Sequence, residues 1–265
     1  MKKTKSETTK NILTKKELEI LILLYRFRFL NRVQTQVLLG HKHHNQVQLW
    51  LNSLVSKGCI AREYDRRFAG GSAVYSLALR GRKQIVDRPD VEAKLLNNRV
   101  WREKERTEEF RDRCHAVNNI YLSLIEFAEK YSSKLHFYTK TDLYGMTFMI
   151  RPNPDAYFAL EPTEGDTKRY FLEVFDDAPS AKLRKRVQRY LEYYDDEYWN
   201  EKYPDKPFPE VIFVCPNKRM KGHLYMYIKN KIDEYPDLNI YLTTKEAVTK
   251  SGLVREILEK VLPEE

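Results

Sequence analysis

The chain lacks any run of 18 or more apolar residues; its most apolar stretch, residues 18–30, is interrupted by Arg26 and Arg28. A membrane-spanning helix needs about 20 such residues, so no contact with a membrane is expected. The start, MKKTKSETTK, is basic but has no apolar segment. That excludes a secretory signal and reads as a disordered basic arm over residues 1–10. Cysteine is scarce: Cys59, Cys114 and Cys215 stand far apart with no CxxC pair. No zinc module is legible, and the expected setting is reducing and cytoplasmic, with the thiols serving as small buried hydrophobes.

What the chain does have is asymmetric charge. Its 265 residues carry a formal net charge of +9. Residues 1–90 hold nine lysines and nine arginines against seven acids, a net of +11, so the other 175 residues carry −2. A basic surface kept for solubility explains the total but not the split. A basic module joined to a near-neutral one suits docking on a polyanion with a second function attached.

Within the basic part, Thr14 and Glu17 form a capping-box pattern ahead of Leu18, Leu21, Ile22 and Tyr25, which recur at helical spacing. The spacing predicts a helix over residues 15–26. Asn31 caps a second helix over 32–39, ended by Gly40, and a third runs over 45–57 with Val47, Trp50, Leu51, Leu54 and Val55 inside and Gly58 after it. The period then changes to two, giving strands at 59–64 and 73–77 around a tip at 66–72. The run HKHH, residues 41–44, lacks the helical spacing of a metal pair and is read as a polar loop.

Three helices followed by a basic hairpin is the order of a winged helix, and residues 74–82, VYSLALRGR, resemble the end of many bacterial winged helices. On that reading residues 11–87 form a winged-helix domain that binds double-stranded DNA. The third helix would enter the major groove through His44, Asn45, Gln46, Gln48, Leu49 and Asn52, and Arg66, Arg67 and Ser72 at the hairpin tip would take phosphates.

Residues 88–131 have no Pro or Gly after Pro89 and read as a helical connector, charged and solvated in its first half and amphipathic in its second. His115 lies beside the apolar stripe and is read as structural. From residue 132 strands and helices alternate, which makes 132–265 a mixed α/β domain. Strands are expected at 135–138, 147–151, 154–160, 169–175, 210–215 and 238–243, with helices at 180–194 and 219–233 and a last one ending at Leu262. The aromatic, acidic run over 190–199 reads as helix packing, with a partner surface or a nucleophilic tyrosine as the alternatives.

The hairpin around Gly165 yields a register. A turn centred on Glu164 pairs residues whose numbers sum to about 328, which sets Asp155 opposite Glu173. Such opposite residues share a face. The other face would hold Ala156, Phe158, Leu160, Tyr170, Leu172 and Val174, leaving the carboxylates on the less apolar side. Two adjacent carboxylates repel unless they share a proton or a hard cation. Mg2+ or Mn2+ is the only cofactor the residues imply.

The segments Pro154-Asp155 and Phe171-Leu172-Glu173-Val174, with Arg186 and Tyr190 later, resemble the PD-(D/E)xK restriction-endonuclease-like fold. The layout as a whole, including the His115-Ala116 pair, resembles the replication-relaxation family of plasmids and integrative elements. The fold class implied is α+β: a winged helix-turn-helix joined by a helical connector to a nuclease-like domain. The resemblance implies a sequence-specific DNA-binding protein of a mobile element, in replication initiation or relaxosome assembly and mobilisation. Expected partners are double-stranded DNA, relaxosome or replication proteins, and a second copy of the chain. One position departs from a working nuclease of this fold. The lysine two residues after the glutamate is replaced by Phe175, which points away from catalysis unless Lys182, Lys185 or Gln188 substitutes. Asp155, Glu173 and Lys185 would then be the catalytic set of a metal-dependent nicking enzyme. A transcriptional repressor with a dimerising C-terminal domain is the third alternative.

Overall fold

The computed structural model describes residues 12–64 and 73–263. The basic start and the hairpin tip, with Arg66, Arg67 and Ser72, lie outside the described residues. The chain mixes helix and strand and divides into two compact units, with the boundary between Asn118 and Asn119.

The first unit opens with helix α1 (Lys15–Phe27). Thr14 Oγ1 accepts from the Glu17 N–H at 3.2 Å and Glu17 accepts from the Thr14 N–H at 2.7 Å, so the capping box is present. The core face of α1 is Ile20, Leu21, Leu24, Tyr25 and Phe27, while Leu18 and Ile22 are only half-buried. The inward stripe is thus turned from the expected one. Strand β1 (Phe29–Asn31), not foreseen, follows directly. Helix α2 (Arg32–Leu38) starts with a second capping box, Asn31 with Gln34. Helix α3 (His44–Ser56) buries Val47, Leu51 and Leu54 completely. Each such burial is worth about 1.5–3 kcal/mol.

Strands β2 (Ile60–Tyr64) and β3 (Ala73–Leu77) pair antiparallel, and β1 pairs with the far side of β3, giving the order β1-β3-β2. Helix α4 (Leu79–Ile85) then crosses close to β2. A Cβ at Gly81 would lie 2.1 Å from the Cys59 carbonyl oxygen and 2.9 Å from a Leu77 methyl. That approach explains the glycine in the VYSLALRGR run.

The expected solvated connector is broken. Helix α5 (Ala93–Val100) buries Leu95, Leu96 and Val100, and turns occupy residues 101–107. There Glu103, 4% exposed, takes a two-pronged hydrogen bond from Arg28 at 2.9 Å on each oxygen. Of the charged residues expected to face water, Glu103 makes this internal ion pair, while Lys94, Arg102, Lys104 and Glu105 are exposed. Helix α6 (Glu108–Lys130) begins in this unit, where Asn118 donates to the Phe29 carbonyl at 2.8 Å, and ends in the next.

The second unit is built on a six-stranded sheet: β4 (Lys134–Thr139), β5 (Ala156–Glu161), β6 (Lys168–Val174), β7 (Glu210–Cys215), β8 (Ile240–Thr244) and β9 (Glu259–Lys260), in that order across the sheet. β4, β5 and β6 are antiparallel; β6, β7 and β8 are parallel; β9 closes the edge antiparallel. Helices α7 (Ser180–Asp195) and α9 (Lys218–Ile232), with the short α8 (Tyr198–Lys202), supply the residues of one large core that also takes Phe171, Phe175, Val211 and Phe213. On the opposite face Tyr121 of α6 packs on Phe137, which stacks on Phe158.

Two expectations fail here. Residues 147–151 form turns, not a strand. The final helix α10 (Lys245–Ser251) stops at Gly252, whose φ of +69° is left-handed, and the chain continues through a short 3-10 turn into β9. The apolar residues beyond Gly252 imitate helical spacing, but the backbone there feeds a sheet edge.

Candidate functional site

In the first unit the outward side of α3 carries the polar residues singled out from the sequence. His44, Asn45, Leu49 and Asn52 are exposed, and Gln46 and Gln48 are half-buried. Their order follows from the helix period, because Val47, Leu51 and Leu54 turn inward. Gln48 Nε2 donates to Asn52 Oδ1 at 3.0 Å and lies 3.3 Å from the Tyr75 hydroxyl. Arg62, on the hairpin, donates to the same Asn52 oxygen at 3.2 Å. Helix and hairpin therefore share one polar patch. Arg62 and Tyr75 escaped the sequence reading, which placed them only as strand residues. Ahead of α3, His41 lies edge-on to Trp50 with centroids 5.0 Å apart and accepts from the His43 N–H at 3.2 Å, as a packed polar loop does.

In the second unit the register is Ala156 opposite Leu172 and Tyr157 opposite Phe171, the pairing expected around Gly165. It continues into Asp155, whose N–H donates to the Leu172 carbonyl at 3.0 Å. Asp155 Oδ2 accepts the Val174 N–H at 3.0 Å, so this carboxylate serves the backbone of the strand carrying Glu173. The carboxylates do not stand on the less apolar side. Their face also carries Tyr157 and Phe171 and lies against the aromatic core beneath α7, so Asp155 is 8% and Glu173 6% exposed. The hairpin taken alone concealed this, because the covering residues come from α7 and α8.

Helix α7 also brings the charge that makes this burial tolerable. Arg186 Nε donates to Glu173 Oε1 at 2.9 Å, a second contact comes from Arg186 Nη2, and the Tyr190 hydroxyl donates to the same oxygen at 2.8 Å. Arg186 and Tyr190 lie four residues apart, one helical turn, and so reach the same point. On the other side Lys140 Nζ stands 3.5 Å from Asp155 Oδ1. Burial pushes the Glu173 carboxyl above its ordinary range, Arg186 pulls against it and Asp155 adds to the rise. Burial drives the Tyr190 phenol well above its ordinary range, reinforced by Glu173, which favours the neutral form that donates to Glu173.

These residues do not fit a divalent cation. The Glu173 oxygen facing the cluster is filled by Arg186 and Tyr190, and both Asp155 oxygens have cationic or N–H partners. The buried polar atom left without a hydrogen bond at this point is Arg186 Nη1, a donor, which repels a cation. Among the described residues no group of three His, Cys, Asp or Glu side chains converges as a metal site. Phe175, at the position a nuclease of this fold gives to lysine, stacks on Phe213 with centroids 5.3 Å apart. Lys182 and Lys185 are exposed, and Gln188 accepts from the Tyr227 hydroxyl at 3.2 Å. The cation brought to Glu173 is Arg186, one residue beyond Lys185. His115 Nδ1 donates to Gln34 Oε1 at 3.0 Å within the first unit, a structural tie.

The molecule is thus an α+β protein: a small helix-and-hairpin unit with a polar helix face, then a mixed sheet with a buried carboxylate–arginine cluster. A family model described as Replication-relaxation matches residues 21–210, and the chain belongs to that family. The match takes in both α3 and the cluster. Membership suggests a role in plasmid or mobile-element replication or mobilisation. No curated protein matches the chain. Among the described residues no helix is long and apolar enough to cross a membrane.

Proposed function

We propose that the chain is a sequence-specific double-stranded DNA-binding protein of a plasmid or integrative element, acting in replication initiation or in relaxosome assembly and mobilisation. The first unit is read as a winged helix, with α3 in the major groove and the β2–β3 hairpin as the wing. The observation that carries this reading is the division of α3: Val47, Leu51 and Leu54 are fully buried, while His44, Asn45 and Asn52 face outward. Asn and Gln pair with adenine through two hydrogen bonds, which a merely solvated face does not need. The charge of +11 over residues 1–90 supports the same reading.

The second unit is read as a PD-(D/E)xK-like scaffold used for assembly or for holding DNA. Three antiparallel strands followed by a parallel one, with Asp155 and Glu173 on the middle hairpin, support the likeness. The donor set around Glu173 argues against cutting. On this reading the chain works in the cytoplasm as a homodimer beside other relaxosome or replication proteins.

The test is supercoiled plasmid carrying the element's own origin, incubated with the full chain and Mg2+ or Mn2+. A stable complex without nicking is expected. Nicking that disappears in Asp155→Ala would establish the metal-dependent endonuclease instead, and footprints at a promoter alone would establish a repressor.

A further inference from the structure

The second unit holds a cleft that the cluster does not use. It has a volume of about 400 Å3, within the range of small-ligand sites, ~300–1,000 Å3. Its walls are aromatic: Tyr138, Phe148, Tyr157, Trp199 and Tyr203 line it. Tyr138 is 37% exposed, and Tyr203 and Phe148 are half-buried with ring centroids 5.6 Å apart, so part of the aromatic wall is open to solvent. Cations stand around the rings. Lys206 Nζ lies 4.6 Å from the Tyr203 centroid and Lys202 Nζ 5.7 Å from that of Phe148, while Arg169 lines the wall and donates to the Thr167 carbonyl at 3.0 Å. The acid in the wall, Glu161, hydrogen-bonds His136 Nε2 at 2.8 Å.

We propose that this cleft takes one unpaired nucleotide of single-stranded DNA, its base on the aromatic wall and its phosphate on Arg169 and Lys206. The inference rests on reading the chain as a DNA-binding protein and adds a second kind of DNA to it. Rings beside cations at one opening are what a base joined to a phosphate requires, and stacking accepts any base because each has a π-face. Paired bases keep their faces inside the duplex stack, so a duplex has nothing to offer the cleft. Tyr157, on the wall, has its phenol pushed up to about 12 by burial and therefore stays a neutral hydrogen-bond donor at physiological pH.

The experiment is fluorescence anisotropy with the full chain, a labelled ten-residue oligothymidylate and, separately, a labelled duplex carrying the origin. The parent should bind both. Tyr138→Ala with Lys206→Ala, both on the exposed rim, should weaken the oligothymidylate by roughly tenfold and leave the duplex unchanged. Tyr138→Phe should bind like the parent. If the parent binds duplex but not oligothymidylate, or the double variant binds oligothymidylate like the parent, the cleft inference fails and the DNA-binding reading stands. If the double variant loses both ligands equally, the cleft is not selective and the inference fails. Binding of neither ligand by the parent would overturn both.

Discussion

Arg186 Nε donates to Glu173 Oε1 at 2.9 Å, and the two side chains are 11% and 8% exposed. A buried pair of this kind adds little over an apolar pair, but breaking it leaves an uncompensated charge inside the fold. Arg186→Met should therefore lower stability by about 3–5 kcal/mol in urea unfolding. Combining it with Glu173→Leu should restore a large part of that loss. A single variant as stable as the parent would show that the pair is not buried in solution.

Gly81 approaches the Cys59 carbonyl too closely for any side chain, since a Cβ would meet that oxygen at 2.1 Å. Alanine is the better helix former by about 1 kcal/mol, so on propensity alone Gly81→Ala would stabilise α4. Overpacking costs about 1–3 kcal/mol and here involves backbone, which yields least. Gly81→Ala should lower the melting temperature, whereas Gly222→Ala, in open space on α9, should not. An unchanged melting temperature for Gly81→Ala would remove the close crossing.

Glu17, 1% exposed, hydrogen-bonds Lys57 Nζ at 2.8 and 2.9 Å. Burial works against its charge, but Lys57, Ser53 and Thr14 outweigh it and hold the carboxyl below the ordinary range. A depressed carboxyl stabilises the fold above its unfolded pKa, roughly 4.3, and that contribution fades as pH falls through the lower folded value. Glu17→Gln should be less stable than the parent at pH 7, and the gap should shrink toward pH 3. A gap that stays constant with pH would show that the charge of Glu17 is not what stabilises α1.

Asn45 is exposed at the start of α3. On the DNA-binding reading, Asn45→Ala should cost about 1–3 kcal/mol against the preferred duplex and relax selectivity at one base pair. Lys42→Ala, in the preceding loop, should weaken all duplexes alike and reduce the salt dependence. Equal losses on all sequences for Asn45→Ala would place α3 outside the groove.

The starts of α1 and α2 were legible because capping is local: Thr14 with Glu17 and Asn31 with Gln34 each lie within one turn. The hairpin register was legible for the same reason, its turn lying between the paired strands. β1 was not, because three residues, Phe29–Asn31, carry no period and pair with β3 over forty residues away. Nor was the closing edge strand, since only the left-handed backbone of Gly252 separates it from a helix. The cluster was half legible. Asp155, Glu173, Arg186 and Tyr190 lay in the recognised pattern, whereas Lys140 stands in a loop with no motif, and the burial of the carboxylates comes from aromatics that only the fold brings over them.

We propose that this chain reads double-stranded DNA by sequence. Selection from a random duplex library with the full chain, followed by affinity measurement across salt concentration, tests it directly. One enriched motif is expected, bound more weakly as salt rises because phosphate contacts release counterions. No enriched motif, or an affinity indifferent to salt, would contradict it.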